Sequence, residues 1–196
     1  MGKKLFKVGW LILICCVVLV GSLAYADTKT ETNLEDKLRA LIFNFKPDSE
    51  PDGFRGIKWG QDISTVEGLV FHSTDPSYGG VALYTREGDE LRMGGAELEL
   101  ILYGFWQDKF CDVRVYTKGF SNWSIFKAII FEKFGEGYQG NKYIERYTWW
   151  GEKAGMVLDY NEISKEGKLV MWSKDISKQQ EEWEKEQVKK GVEEGW

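Results

Sequence analysis

Residues 97–116, "ELELILYGFWQDKFCDVRVY", constrain the fold more than any other stretch of this chain. Leu98, Leu100 and Leu102 alternate with Glu97 and Glu99, "QDK" is a turn signal, and Cys111, Val113 and Val115 alternate with charged residues beyond it. A period of two on both sides of a polar turn specifies a half-buried antiparallel hairpin. Such a hairpin needs a second layer over its apolar face. The stretch "SNWSIFKAIIFEKFGEG", residues 121–137, supplies one. Trp123, Phe126, Ile129, Ile130 and Phe134 share a helical face, Ser121 or Asn122 can cap the start, and Gly135 ends the helix.

Further strand patterns are "VALYTR" before the hairpin and "YIERYTWW", "GMVLDY" and "KLVMWS" after the helix. Ser64 and Glu67 have the spacing of a capping box that opens a short helix. Upstream, "NLEDKLRALIFNF" places Leu34, Leu38, Leu41, Ile42 and Phe45 at helical spacing behind an Asn33 cap. The tail "SKQQEEWEKEQVKK" opens on a second capping-box spacing, Ser177 to Gln180. Pairs such as Glu181–Lys185 support a solvated helix whose apolar stripe is thin: Ile176, Trp183 and Val188. The expected class is α+β, antiparallel β-meander strands with packed helices, in an order that accommodates two αβββ units. The expected divisions are a signal peptide at 1–26, a leader with an amphipathic helix and a Pro-containing linker at 27–52, an α+β domain at 53–174, and a charged C-terminal helix at 175–196.

Export is read from the N-terminus. Lys3, Lys4 and Lys7 precede an uncharged apolar run that closes on Ala24-Tyr25-Ala26, the layout of a secretory signal cut before Asp27. The alternative is a retained anchor, since residues 8–26 approach the ~20 that a spanning helix needs; membrane contact is expected only through this segment, if it is uncleaved. The chain carries 26 Lys and Arg against 31 Asp and Glu, and the three signal lysines are among the 26. No basic cluster lies elsewhere, which argues against nucleic acid as a partner. Cys15 and Cys16 belong to the signal, so Cys111 stands alone, without a disulfide framework. It is expected to be a small buried hydrophobe.

The stretch "PDSEPDGFRGIKWGQDIS", residues 47–64, imitates ligand loops. Laid on an EF-hand loop, Asp48, Asp52 and Gly53 match, but Trp59 stands where the bidentate glutamate belongs. No Gly-Lys-Ser/Thr follows to hold a phosphate. The stretch therefore reads as the entry to the domain: a turn at Gly53, close packing at Gly56, and Ile57 and Trp59 on one buried strand face. His72 in "VFHSTDP" reads as a solvated loop histidine, and a zinc site needs three or four ligands. No catalytic, cofactor-binding or metal-binding residues are expected, and no cofactor.

Tryptophan is the compositional departure, with nine in the chain. Trp59, Trp123 and Trp172 fall on apolar periodicities and are assigned to the core. Trp106 lies at the hairpin end, and Tyr147, Trp149 and Trp150 precede the "GEKAG" turn. Adjacent strand residues point to opposite faces, so Trp149 and Trp150 diverge. These four residues are the candidate partner or ligand surface, an aromatic platform for a sugar or a protein. The competing reading makes these tryptophans a second small core under the tail helix.

"GFRGIKWGQDIS", "YTREGDELRMGGAELELILYGFWQDKF" and "FEKFGEGY" together resemble a group of uncharacterised bacterial secreted proteins, in which an early Gly-Ile-x-Trp-Gly precedes a hairpin and a helix ending in Phe-Gly or Tyr-Gly. The resemblance spans most of residues 53–160. It implies a bacterial envelope location, periplasmic or secreted, and carries no catalytic residues to transfer. The functional expectation is an exported, non-enzymatic α+β module that binds an envelope protein or another macromolecule. The alternative is a carbohydrate-binding module using the turn-proximal tryptophans, and a carboxylate hydrolase is a third reading.

Overall fold

The hairpin over residues 97–116 becomes the centre of one large sheet. The computed structural model describes residues 45–194; the signal segment and the expected leader helix up to Asn44 lie outside them. In chain order the strands are β1 (Gly53–Phe54), β2 (Ile57–Lys58), β3 (Leu69–Asp75), β4 (Val81–Arg86), β5 (Arg92–Met93) and β6 (Ala96–Glu97). They continue as β7 (Leu100–Trp106), β8 (Lys109–Lys118), β9 (Arg146–Trp150), β10 (Ala154–Asn161) and β11 (Glu166–Ser173). The helices are α1 (Phe120–Phe134) and α2 (Lys174–Glu194). Seven strands form one sheet in the order β3-β4-β7-β8-β11-β10-β9, with every neighbouring pair antiparallel. The class is α+β with antiparallel strands, as expected. Only α1 followed by β9, β10 and β11 forms an αβββ run among the described residues.

Helix α1 covers one face of the sheet with Trp123, Phe126, Ile130 and Phe134. They pack on Ile101, Tyr103, Val113, Val115, Trp149, Met156 and Leu158. Each such large side chain contributes about 1.5–3 kcal/mol by leaving water, so this layer dominates stability. Gly119, with φ 85°, turns the chain sharply from β8 into α1. The cap therefore sits two residues before Ser121, the earlier of the two expected, and makes no side-chain hydrogen bond. Asn122 instead accepts from the Glu97 amide and donates to the Lys118 carbonyl.

The other face carries a smaller core of Val81, Leu83, Leu102, Trp106, Cys111 and Ile176. Helix α2 covers it through Ile176, Gln180 and Trp183, while Val188 is exposed. Strand β7 is thus buried on both faces, not half-buried. Between Gly104 and Phe105 the β7–β8 register shifts and leaves Cys111 as the extra residue. This bulge sends Cys111 to the α2 side while Val113 and Val115 face α1; strict alternation from Cys111 does not survive it.

Strand β3 has no counterpart in the sequence reading. It is the sheet edge and mostly exposed, so it carries no alternating pattern. His72 lies on it in the open, its Nδ1 3.0 Å from the Ser73 hydroxyl. The helix expected from Ser64 is only a single 3-10 turn, Ile63–Thr65, and Asp62 caps it by accepting from the Ser64 amide.

Candidate functional site

The entry stretch folds into a strap across the α1 side of the sheet. Its hairpin, β1–β2, turns through Arg55 and Gly56, whose φ values of 47° and 85° suit a two-residue type I′ turn. The two glycines exchange their expected roles. Gly56 makes the turn in open space, and Gly53 is the close approach, where a Cβ would run into the Ile57 carbonyl. Ile57 is buried and Trp59 is half-buried, its ring stacked on Phe110 at 4.9 Å.

Three anchors hold the strap. The Lys46 amide donates to the Phe134 carbonyl at 2.7 Å. The Glu50 carboxylate accepts from the Lys153 and Ala154 amides at 2.5 and 2.7 Å, closing over Gly151. Arg55 donates to the carbonyls of Glu90 and Arg92 and lies 3.6 Å from Asp89. Asp89 in turn accepts from the buried Tyr103 hydroxyl, whose pKa is pushed up by burial and by that carboxylate.

Between strap, α1 and β11 lies a cavity of about 810 Å³, within the usual ~300–1,000 Å³ range of ligand sites. Ile130, Phe134, Leu169 and Met171 form its floor, and Phe54, Met93 and Ile129 are its half-exposed apolar walls. Lys58, Arg92, Lys133, Asp48 and Asp52 stand at its exposed rim. None of these five makes a salt bridge to another described residue. The stretch expected to be a domain entry builds one wall of this cavity.

The expected aromatic surface does not assemble. Trp106 is buried in the core under α2, donating through Nε1 to the Tyr78 carbonyl at 2.9 Å. Trp149 is fully buried beneath α1 and donates to the Gly135 carbonyl at 3.0 Å. Tyr147 is buried too, its hydroxyl donating to Glu145 at 3.2 Å. Each of these three rings has found its polar partner, which makes its burial favourable. Trp150 alone of the four is exposed, at 47%. Its neighbour is Trp172, edge-to-face at 5.9 Å across the far side of the sheet, so Trp172 is a half-exposed face residue and not a core residue.

A second, smaller pocket of about 330 Å³ opens beside α2, next to Trp172. Arg114 crosses it, donating to Asp112 and Asp75 at 2.9 Å each. Hydrogen bonds from Ser77, reinforced by Arg114, hold the Asp75 carboxyl below its usual range. Cys111 lies at the back, and burial, then the Asp112 charge, pushes its thiol up.

The residue that sequence reasoning missed is Gln180. The spacing Ser177 to Gln180 predicts a capping box, but α2 begins earlier, with Ser173 accepting from the Ile176 amide. Gln180 instead sits on the docking stripe Ile176, Gln180, Trp183. An amide at that spacing, i and i+4 then i+7, was the available signal.

No family model, curated protein or solved structure matches this chain. Its chemistry has to be read from these two sites.

Proposed function

We propose that this protein is an exported binding module whose strap-side cavity takes an apolar group of a protein partner, in the first place an envelope protein. The observation that carries the reading is the cavity itself: an apolar floor deep enough for an anchoring side chain, ringed by charges of both signs that make no salt bridge among the described residues. Interfaces concentrate their energy in such central pockets filled by an aromatic or aliphatic anchor. A rim of mixed sign suits a polypeptide, which presents both charges around its apolar residues, and sets register and selectivity more than affinity. The Lys-rich start and small-residue end of the N-terminal segment support export. The glycan reading through Trp106, Tyr147 and Trp149 is set aside, because a ring inside the core has no face to offer.

Cross-linked capture from envelope extract tests the proposal with three proteins: wild type, Met93→Arg in the cavity wall, and Val188→Arg on the exposed side of α2. A partner retained by wild type and Val188→Arg and lost with Met93→Arg supports it. Equal capture by all three removes the cavity from the function.

A further inference from the structure

The two edges of the seven-stranded sheet are finished differently. β9 forms one edge, and there Tyr138 and Thr148 exchange both backbone hydrogen bonds, at 2.8 and 3.0 Å, so the loop after α1 lies along it. β3 forms the other edge. It bonds only to β4, and no described residue pairs with its outer side. An open edge is a row of main-chain donors and acceptors that templates another strand, and chains ordinarily blunt it with lysine, proline or a bulge. The β3 sequence, LVFHSTD, contains no lysine, arginine or proline. Its one irregularity is the bulge at His72, which leaves the stretch up to Phe71 in regular register.

The register fixes which groups are free. The Gly68 carbonyl accepts from the Glu87 amide at 2.8 Å, so the bonded pairs of this ladder are Gly68–Glu87 and Val70–Thr85. The N–H and C=O groups of Leu69 and Phe71 therefore point away from β4, outward in the plane of the sheet. Val70 and Phe71, on opposite faces of the strand, are 45% and 59% exposed. Phe71 continues an aromatic row into the sheet: it meets Tyr84 edge-to-face at 5.7 Å, and Tyr84 meets Phe105 likewise at 5.7 Å. Outward main-chain groups flanked by apolar side chains on both faces are what an added β-strand satisfies. Ladder hydrogen bonds give it affinity, and cross-strand apolar pairs give it selectivity.

Charge narrows the choice of strand. Glu67 and Glu87 are exposed side by side at the start of β3, and neither makes a salt bridge among the described residues. An antiparallel strand brings its C-terminal end to this point, so a basic residue there is the complement. β3 itself ends on Asp75 and has no lysine or arginine, so a second copy of this chain lacks that complement.

We infer that β3 is a docking edge on which an extended strand of a partner protein adds antiparallel, with apolar residues beside Val70 and Phe71 and a basic residue at the Glu67 end. The edge shares no residue with the strap-side cavity, so it stands or falls independently of the function proposed above.

The probe is a capped, fluorophore-labelled peptide, Thr-Val-Thr-Ile-Thr-Val-Lys, titrated into the full chain by fluorescence anisotropy, with amide exchange followed by NMR. In free protein the Leu69 and Phe71 amides are expected to exchange about tenfold or more faster than the Val70 amide, and bound peptide is expected to remove that difference. The same peptide with every amide N-methylated keeps its side chains and loses its donors; it is expected to bind about tenfold or more weaker. Replacing its lysine by glutamate is expected to weaken binding about threefold. Phe71→Pro removes an amide that points outward, which an edge strand tolerates, and is expected to weaken binding about tenfold or more. Phe71→Lys, which blunts the edge and keeps the amide, is expected to weaken it too. Met93→Arg is expected to leave peptide binding unchanged. Circular dichroism and melting establish that each variant is folded, and Phe71→Lys decides where Phe71→Pro unfolds. Unchanged exchange at Leu69 and Phe71 with millimolar peptide overturns the inference. So does equal binding of the N-methylated peptide, or binding that survives the Phe71 substitutions in folded protein. A dimer in sedimentation that Phe71→Lys dissolves overturns the assignment to a partner protein, because a second copy then covers the edge.

Discussion

Removing the Glu50 carboxylate should loosen the strap without disturbing the sheet. Its two backbone bonds, to Lys153 and Ala154, join chain positions 103 and 104 residues apart. Hydrogen bonds to a charged group contribute about 1.5–3 kcal/mol each at best, but Glu50 is only half-buried and water can replace part of the interaction. A net loss of about 2 kcal/mol for Glu50→Ala is therefore expected. In a domain of this size about 1 kcal/mol moves Tm by ~2–4 °C, so the melting point should fall by about 4–8 °C. Gly151→Ala approaches the same contact from the other side, because its Cβ would collide with the Glu50 carboxylate. The two changes should couple: the double variant should lose much less than the summed single losses. Asp48→Ala, an exposed change with no side-chain partner among the described residues, is the control and should stay within about 0.5 kcal/mol. The assays are thermal and urea melts by tryptophan fluorescence, with hydrogen exchange at the Lys153 and Ala154 amides. A melting point unchanged from wild type, with both amides still protected, would refute the reasoning that Glu50 fastens the strap.

Three further outcomes follow from the packing and charge described above. Trp149→Ala should destabilise by about 3–5 kcal/mol while the adjacent Trp150→Ala costs under about 1 kcal/mol; similar losses in urea melts would contradict their opposite placement. The depressed Asp75 carboxyl contributes stability that is present above its unfolded value, 3.8, and lost as pH falls through the lower folded value. Asp75→Asn should accordingly flatten part of the decline in Tm below about pH 4, and an unchanged acid limb would count against the ion-pair cluster. Cys111, buried and with its thiol pushed up, should resist alkylation in native protein and label quickly in urea, read by mass spectrometry of its peptide; rapid native labelling would show that the α2-side core opens.

How legible each part was depends on whether its signal is periodic. Helix α1 and strands β9–β11 were readable because each buries one regular face, and the period survives in the letters. β3 was not, since an exposed edge strand has no buried face to impose alternation. Trp106, Tyr147 and Trp149 illustrate a different limit. Their identities are visible in the sequence, but whether an aromatic faces water or a second layer depends on which helix covers it. Gln180 was hidden behind a capping-box spacing that α2, starting at Lys174, does not use.

The sequence by itself determined the α+β class, the antiparallel hairpins, the helix that roofs the sheet and the divergence of Trp149 and Trp150, because local period and turn chemistry suffice for these. Tertiary structure alone decided the rest. Long-range pairing of β8 with β11 joined the meanders into one sheet, and a one-residue bulge moved Cys111 to the other side. Strap closure through Glu50 turned "PDSEPDGFRGIKWGQDIS" from a domain entry into a cavity wall. The docking of α2 buried Trp106 and Gln180. Sites of this kind arise where distant segments meet, and no local pattern records the meeting.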